Sequence, residues 1–308
     1  MTPGAVAVNR WVSAALAVIL LFVSAQAPAA PELEGKIVSA GSDTLGALSS
    51  LWAERLREEH PRVLVQVRAI GSGAAPTSLV QGAADIGPMS RPMSDAEQEL
   101  FFRRYGYAPT AVPVAYDQIS IFVHRSNPVA TLTIEQLDAV FSSTRRCGFP
   151  RLVRDWSELG VDARQGGNPI SLYGRGAASG TYSVFREQVL CGGDFAPRLN
   201  RLVGSSAIVR AVAQDPGGVG YASAGHVNAT VKPLGLLDAE GRRARPLSRA
   251  LFLYLNRPPG ADLGPLVGAY VRLALSTAGQ QEVLRSGYTP LSRQERDVLL
   301  RDLGLADD

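Results

Sequence analysis

The chain has 308 residues, with 31 Lys and Arg against 28 Asp and Glu and a formal net charge of +3. Near balance, with the basic residues scattered rather than clustered, excludes nucleic-acid binding driven by bulk charge. The length allows one or two domains of ordinary size beyond a leader.

Residues 1–29 read as an export signal. Arg10 precedes an apolar run from Trp11 to Val23, and the small, turn-prone stretch from Ser24 to Ala30 follows. The run is shorter than the roughly 20 residues that a spanning helix needs, which leaves a permanent N-terminal anchor as the alternative. Of two Ala-x-Ala sites, the one ending at Ala27 would put Pro28 next to the cut, so cleavage is expected after Ala29. No Cys lies there to carry a lipid, and the expected location is periplasmic or extracellular.

Beyond the leader, Lys36 to Ser39 reads as a strand. Leu45, Leu48, Trp52 and Leu56 then fall at helical spacing before a stop at His60-Pro61. Val63 to Val67 is the next strand, ending at Gly71, and this βαβ order predicts an α/β fold with parallel neighbours. Pro113 to Val123 is a long extended run, followed by a helix from Thr133 to Phe141. Ile170 to Gly174 reads as a strand before a Gly-rich turn and a helix from Thr181 to Leu190. A helix near Ser206 to Gln214 and a short strand at Val219 to Tyr221 come next. Arg249 to Leu255 is a second long extended run, halted at Pro258-Pro259-Gly260. Two such runs with a complete α/β unit between them imply two crossings between two lobes.

Two cysteines, Cys147 and Cys191, form an even count in a chain expected to leave the reducing cytosol, so a bridge between them is expected. Two buried thiols are the alternative. The histidines His60, His124 and His226 show no metal-ligand spacing relative to these cysteines, and neither a metal nor a cofactor is expected.

Four segments put small hydroxyl residues where a strand gives way to a helix or loop. They are Gly41-Ser42-Asp43-Thr44, Gly71-Ser72-Gly73, Met89-Ser90-Arg91-Pro92 and the stretch from Arg175 through Ser179, Gly180 and Thr181. A helix start offers unpaired N–H groups and partial positive charge to an anion. Hydroxyls add short donors, and Arg175 adds a planar fork of them. Each segment alone also reads as ordinary helix capping or a surface turn.

Taken in order, and with Gly218-Val219-Gly220-Tyr221, these motifs resemble the phosphate-binding proteins of phosphate-specific ABC importers across nearly the whole exported chain. Arg-x-x-x-Ser-Gly-Thr is the most specific part. The resemblance implies a class II periplasmic-binding-protein fold of two α/β lobes, with residues 30–115 and 248–308 in one lobe and 116–247 in the other. The long runs would be its hinge strands. It also implies a monomer that binds inorganic phosphate and meets the membrane permease subunits of an importer. The ligand set it implies is Ser42 or Thr44, Ser72 and Ser90 from one lobe, with Arg175, Ser179, Gly180 and Thr181 from the other. Many relatives carry Asp at the position of Ser90, where it accepts the ligand's proton, and often an acid at that of Ala177. Asp43 is the candidate replacement acceptor, and a cap for the first helix is its alternative role.

Two other functions remain open on sequence. An oxyanion sensor or scavenger would share the site without serving a transporter. A phosphoester hydrolase would need a base, yet no Gly-x-Ser-x-Gly elbow occurs and no His sits in these motifs.

Overall fold

The computed structural model of the protein describes Met1 and residues 33–161 and 168–306. The export-signal reading of residues 1–29 lies outside this set apart from Met1. Strand β1 (Gly35–Gly41), helix α1 (Gly46–Glu59) and strand β2 (Val63–Ala69) form the expected βαβ unit, with β1 and β2 parallel from Gly35↔Val63 to Gly41↔Ala69. Helix α1 stops at His60 because Pro61 disfavours helical backbone in the residue before it. Its Trp52 donates Nε1–H to the Gly279 carbonyl at 3.0 Å, which ties the helix to the C-terminal part of the chain.

Next come α2 (Ala74–Val80), β3 (Ile86–Met89) and α3 (Asp95–Tyr105). A reciprocal cap between Ser94 and Glu97 opens α3, and Gly106 ends it at a φ of 79°. Strand β4 (Thr110–His124) is the first long run, followed by β5 (Thr131–Thr133) and α4 (Ile134–Phe141), whose Thr133 cap agrees with the sequence reading. Strand β6 (Ser171–Arg175), α5 (Gly180–Val189), α6 (Ser205–Ala213) and β8 (Gly218–Ser223) fall where expected, and a short strand not read from the sequence, β7 (Asn200–Leu202), stands between the two helices. The short strands β9 (Val231–Pro233) and β10 (Gly235–Leu237) lead to β11 (Leu247–Leu255), the second long run. Helices α7 (Pro265–Leu275), α8 (Thr277–Arg285) and α9 (Arg293–Asp302) follow.

The main sheet runs β2-β1-β3-β11-β4-β8-β6-β7, with β9 also on β4, and β5 pairs β10 separately. Strands β4 and β11 are antiparallel from Thr110↔Leu255 to Ile119↔Leu247. One end of β11 also holds β3, and the far end of β4 holds β8, so both strands pass from one half of the protein into the other. Pro113, which has no N–H to give a ladder, sits where the register shifts between Leu251 and Phe252.

The core divides accordingly. Ile37, Leu45, Trp52, Val114, Ala115, Leu251 and Leu253 belong to one buried cluster, and Ile119, Phe141, Trp156, Phe185, Tyr221 and Leu247 to another. The fold is the two-lobed α/β arrangement expected from sequence. Cys147 and Cys191 are joined, with Cα atoms 5.5 Å apart. The bridge fastens the segment after α4 to the end of α5, and such a closure stabilises by roughly 3–4 kcal/mol on the chain-entropy account. Among the described residues no helix is long and apolar enough to cross a membrane.

Candidate functional site

Strands β1, β2 and β3 lead into loops that carry Ser42-Asp43-Thr44, Ser72 and Ser90, while β6 ends in Arg175 just ahead of α5. Ser42, Thr44, Ser72, Ser90, Arg175, Ser179, Gly180 and Thr181 are all buried, and Asp43 is largely so. Thr44 Oγ1 lies 3.5 Å from Thr181 Oγ1, and the Gly73 amide donates to the Ala178 carbonyl at 3.0 Å, so the two walls touch. Ser72 Oγ accepts from the Ser90 amide at 3.1 Å and lies 3.2 Å from Ser90 Oγ. A Cβ added to Gly180 would fall 2.4 Å from Ser90 Oγ and 2.7 Å from Ser72 Oγ, so glycine lets the start of α5 reach both serines.

The sequence-derived residues therefore converge, with two refinements. Ser179 is the N-cap of α5, accepting from the Thr181 amide at 3.2 Å, so its oxygen already serves its own helix. Asp43 does not cap α1, whose N-cap is Leu45 with no side-chain bond. Its Oδ2 instead stands 2.7 Å from Arg175 Nη1 across the cleft. That contact is an ion pair off hydrogen-bond geometry, for Nη1 and Nε of Arg175 are buried without a hydrogen-bond partner. Ser42 Oγ is likewise buried and unpartnered, while the Ser42 amide donates to the Pro88 carbonyl at 2.7 Å.

Sequence reasoning missed a second charged pair beneath these loops. Asp117 of β4 and Arg249 of β11 are register partners, and the Asp117 side chain is fully buried. Arg249 donates Nε–H and Nη2–H to Asp117 Oδ2 at 3.0 and 2.7 Å, and Ser223 donates to Asp117 Oδ1 at 2.8 Å. The other donors of Arg249 reach Ser90 Oγ at 3.3 Å, Thr44 Oγ1 at 3.4 Å and Thr181 Oγ1 at 3.0 Å. Tyr288 donates to the Thr44 carbonyl at 2.6 Å, and burial pushes its hydroxyl pKa well above the ordinary range. Tyr221 accepts from the Arg175 amide at 3.2 Å. The available signal was a lone charge inside each apolar run, which hydrophobic burial alone would not place there.

With two ion pairs inside it, the site offers an anion directed N–H and O–H donors rather than a net positive charge. His226 is the remaining titratable neighbour. Burial holds its pKa below the ordinary value of 6.5, with Asp117 and Asp43 pulling it up and Arg175 and Arg249 pushing it down. Between that lowered value and the ordinary one, the unfolded chain binds a proton that the folded protein refuses, so stability falls as the pH drops. Thermal melts at about pH 7.5 and 5.5 should show a larger loss on acidification for the parent than for His226→Asn. Equal losses would mean that His226 does not report this burial.

A cavity of about 680 Å³ lies elsewhere, lined among others by Asn127, Gln136, Leu159 and Asn168, and none of its described lining residues is charged. Among the described residues no cluster of His, Cys, Asp or Glu is placed to hold a metal.

Residues 25–277 match the PBP superfamily domain. The phosphate-binding protein PstS of Pseudomonas aeruginosa PAO1 is 42% identical over 301 residues, spanning 92% of this chain and 93% of that protein. Among solved structures, a Clostridium perfringens phosphate ABC transporter substrate-binding protein with bound phosphate is similar in fold, with a TM-score of 0.69 at 24% identity. It covers 84% of this chain and 100% of its own. An ABC-type phosphate transport receptor from Vibrio cholerae has a TM-score of 0.65 at 24% identity and covers 83% and 100%.

Proposed function

Because the chain belongs to the PBP superfamily, and within it to the PstS phosphate-binding proteins, we propose that it captures inorganic phosphate between its lobes and delivers it to an ABC importer's permease subunits. The observation that carries this reading is the meeting of Arg175 and the start of α5 with Ser42, Thr44, Ser72 and Ser90, donors from two lobes on one buried point. We assign the ligand contacts to Ser42, Thr44, Ser72, Ser90, Arg175, Gly180 and Thr181, with Asp43 as proton acceptor. Ser179 contributes by capping the helix that presents Gly180 and Thr181.

The lobes we propose are residues 30–115 with 248–308, and 116–247. Membership of the two cores supports those limits, since Ala115 and Leu251 pack in the first and Ile119 and Leu247 in the second. Binding favours the shut arrangement because only there do both donor sets reach one ligand, and closure about β4 and β11 follows from that difference in affinity. Export by the segment 1–29 completes the reading. Binding rather than turnover is supported by membership of a family of phosphate-binding proteins.

Calorimetric titration with phosphate, sulfate and molybdate tests this proposal. Stoichiometric binding with phosphate preferred is the expected result, and phosphate released catalytically from a simple ester would replace it with a hydrolase. Gly180→Ala should weaken binding by about tenfold to a hundredfold, since overpacking the touching walls costs roughly 1–3 kcal/mol. Parental affinity in that variant would show that the walls have room to spare.

A further inference from the structure

From the geometry of the two long strands we infer that Arg249 is a positioning residue that makes the cleft hydroxyls into donors, an inference that rests on the phosphate-binding reading above. A guanidinium has five N–H donors and accepts nothing. Asp117 takes two of the Arg249 contacts through Oδ2, and Ser223 occupies Oδ1, so this carboxylate is engaged on both oxygens and unavailable to a ligand. What remains of Arg249 is directed onto the oxygens of Ser90, Thr44 and Thr181.

An O–H whose oxygen already accepts from arginine must send its hydrogen elsewhere. Ser90 and Ser72 lie 3.2 Å apart, and Ser72 Oγ also accepts from the Ser90 amide. One of their two hydroxyl hydrogens can bridge the pair, which leaves the other for the cleft. Thr44 and Thr181, 3.5 Å apart and both under Arg249 Nη2, divide in the same way. Each pair therefore gives at least one outward O–H, one from the first lobe and one from the boundary between lobes. Ser90, ambiguous by itself, becomes a donor.

The position on the hinge matters as much as the chemistry. Arg249 grips hydroxyls of both lobes from a strand that runs between them, so it orients the two donor sets only when they are together. Stability alone gives little reason for such a pair, because replacing a buried ion pair with apolar residues of similar size is often neutral or stabilising.

That last point supplies the experiment. The double variant Arg249→Met with Asp117→Leu removes both charges together and is compared with the parent by thermal melting and by titration with phosphate and sulfate. We expect a similar melting temperature and a loss of about tenfold to a hundredfold in affinity for both anions, the effect of weakened charge-assisted hydrogen bonds. Arg249→Lys keeps the charge beside Asp117 but lacks the fork, and it should recover only part of the loss. It also serves as the test should the double variant not fold. A parent protein that binds no oxyanion overturns the functional reading and this inference with it. A parent that binds, with a folded variant of either kind that binds as tightly, overturns this inference alone.

Discussion

Replacing Arg175 with alanine is expected to lower phosphate affinity by about a hundredfold to a few thousandfold, while Arg243→Ala leaves it unchanged. The first side chain is only 5% exposed and stands 2.7 Å from Asp43, whereas Arg243 lies on the exposed surface. Removing one member of a buried charge pair costs roughly 3–5 kcal/mol, because the partner is left without compensation, and each 1.4 kcal/mol is a factor of ten. In this protein the partner is Asp43, which would then face an incoming anion unneutralised. Calorimetry on both variants measures the contrast, and equal affinities would take Arg175 out of the site.

Asp43→Asn should act on selectivity. Phosphate near neutral pH carries a proton and sulfate carries none, so an acceptor built for that proton meets a bare oxygen when sulfate enters. Sites made for one hydrogen bond reject an analogue that lacks it by about 10⁴–10⁵. Asp43 Oδ2 takes the Arg175 contact, which leaves Oδ1 for the ligand's proton. Asn keeps the shape but can turn its NH₂ toward either anion, so the preference for phosphate should shrink by powers of ten. Titration with both anions decides the matter. Selectivity that survives intact would return the acceptor to a backbone carbonyl.

The fold was legible where local rules dominate. Period, capping and Pro or Gly punctuation located α1, α4 and α5 within a residue or two, because Pro61, Thr133 and Ser179 act on the backbone beside them. The loop donors were legible for the same reason, since each sits at a strand end with its own turn chemistry. Asp117 and Arg249 were not. Their significance lies in facing each other across a strand pair 132 residues apart in sequence, and register at that distance is set by tertiary packing. Asp43 lay between the two cases. Its position was visible, with proton acceptor and helix cap both open to it, but the ion pair it forms depends on Arg175 arriving from the other lobe.

Strand β11 lies between β3 and β4, although it is made after every other strand of the sheet. A chain that emerges with its N-terminus first therefore finishes the whole of residues 116–247 while the earlier half still waits for its central strand. Ile86 and Val112 share a cluster with Leu251, Leu253 and Leu255, and that cluster cannot close before β11 is inserted. The portion made first is thus the last to mature. During synthesis, apolar surface over the opening hundred or so residues stays exposed for longer than over the middle of the chain, since long-range pairing waits until the distant strand arrives.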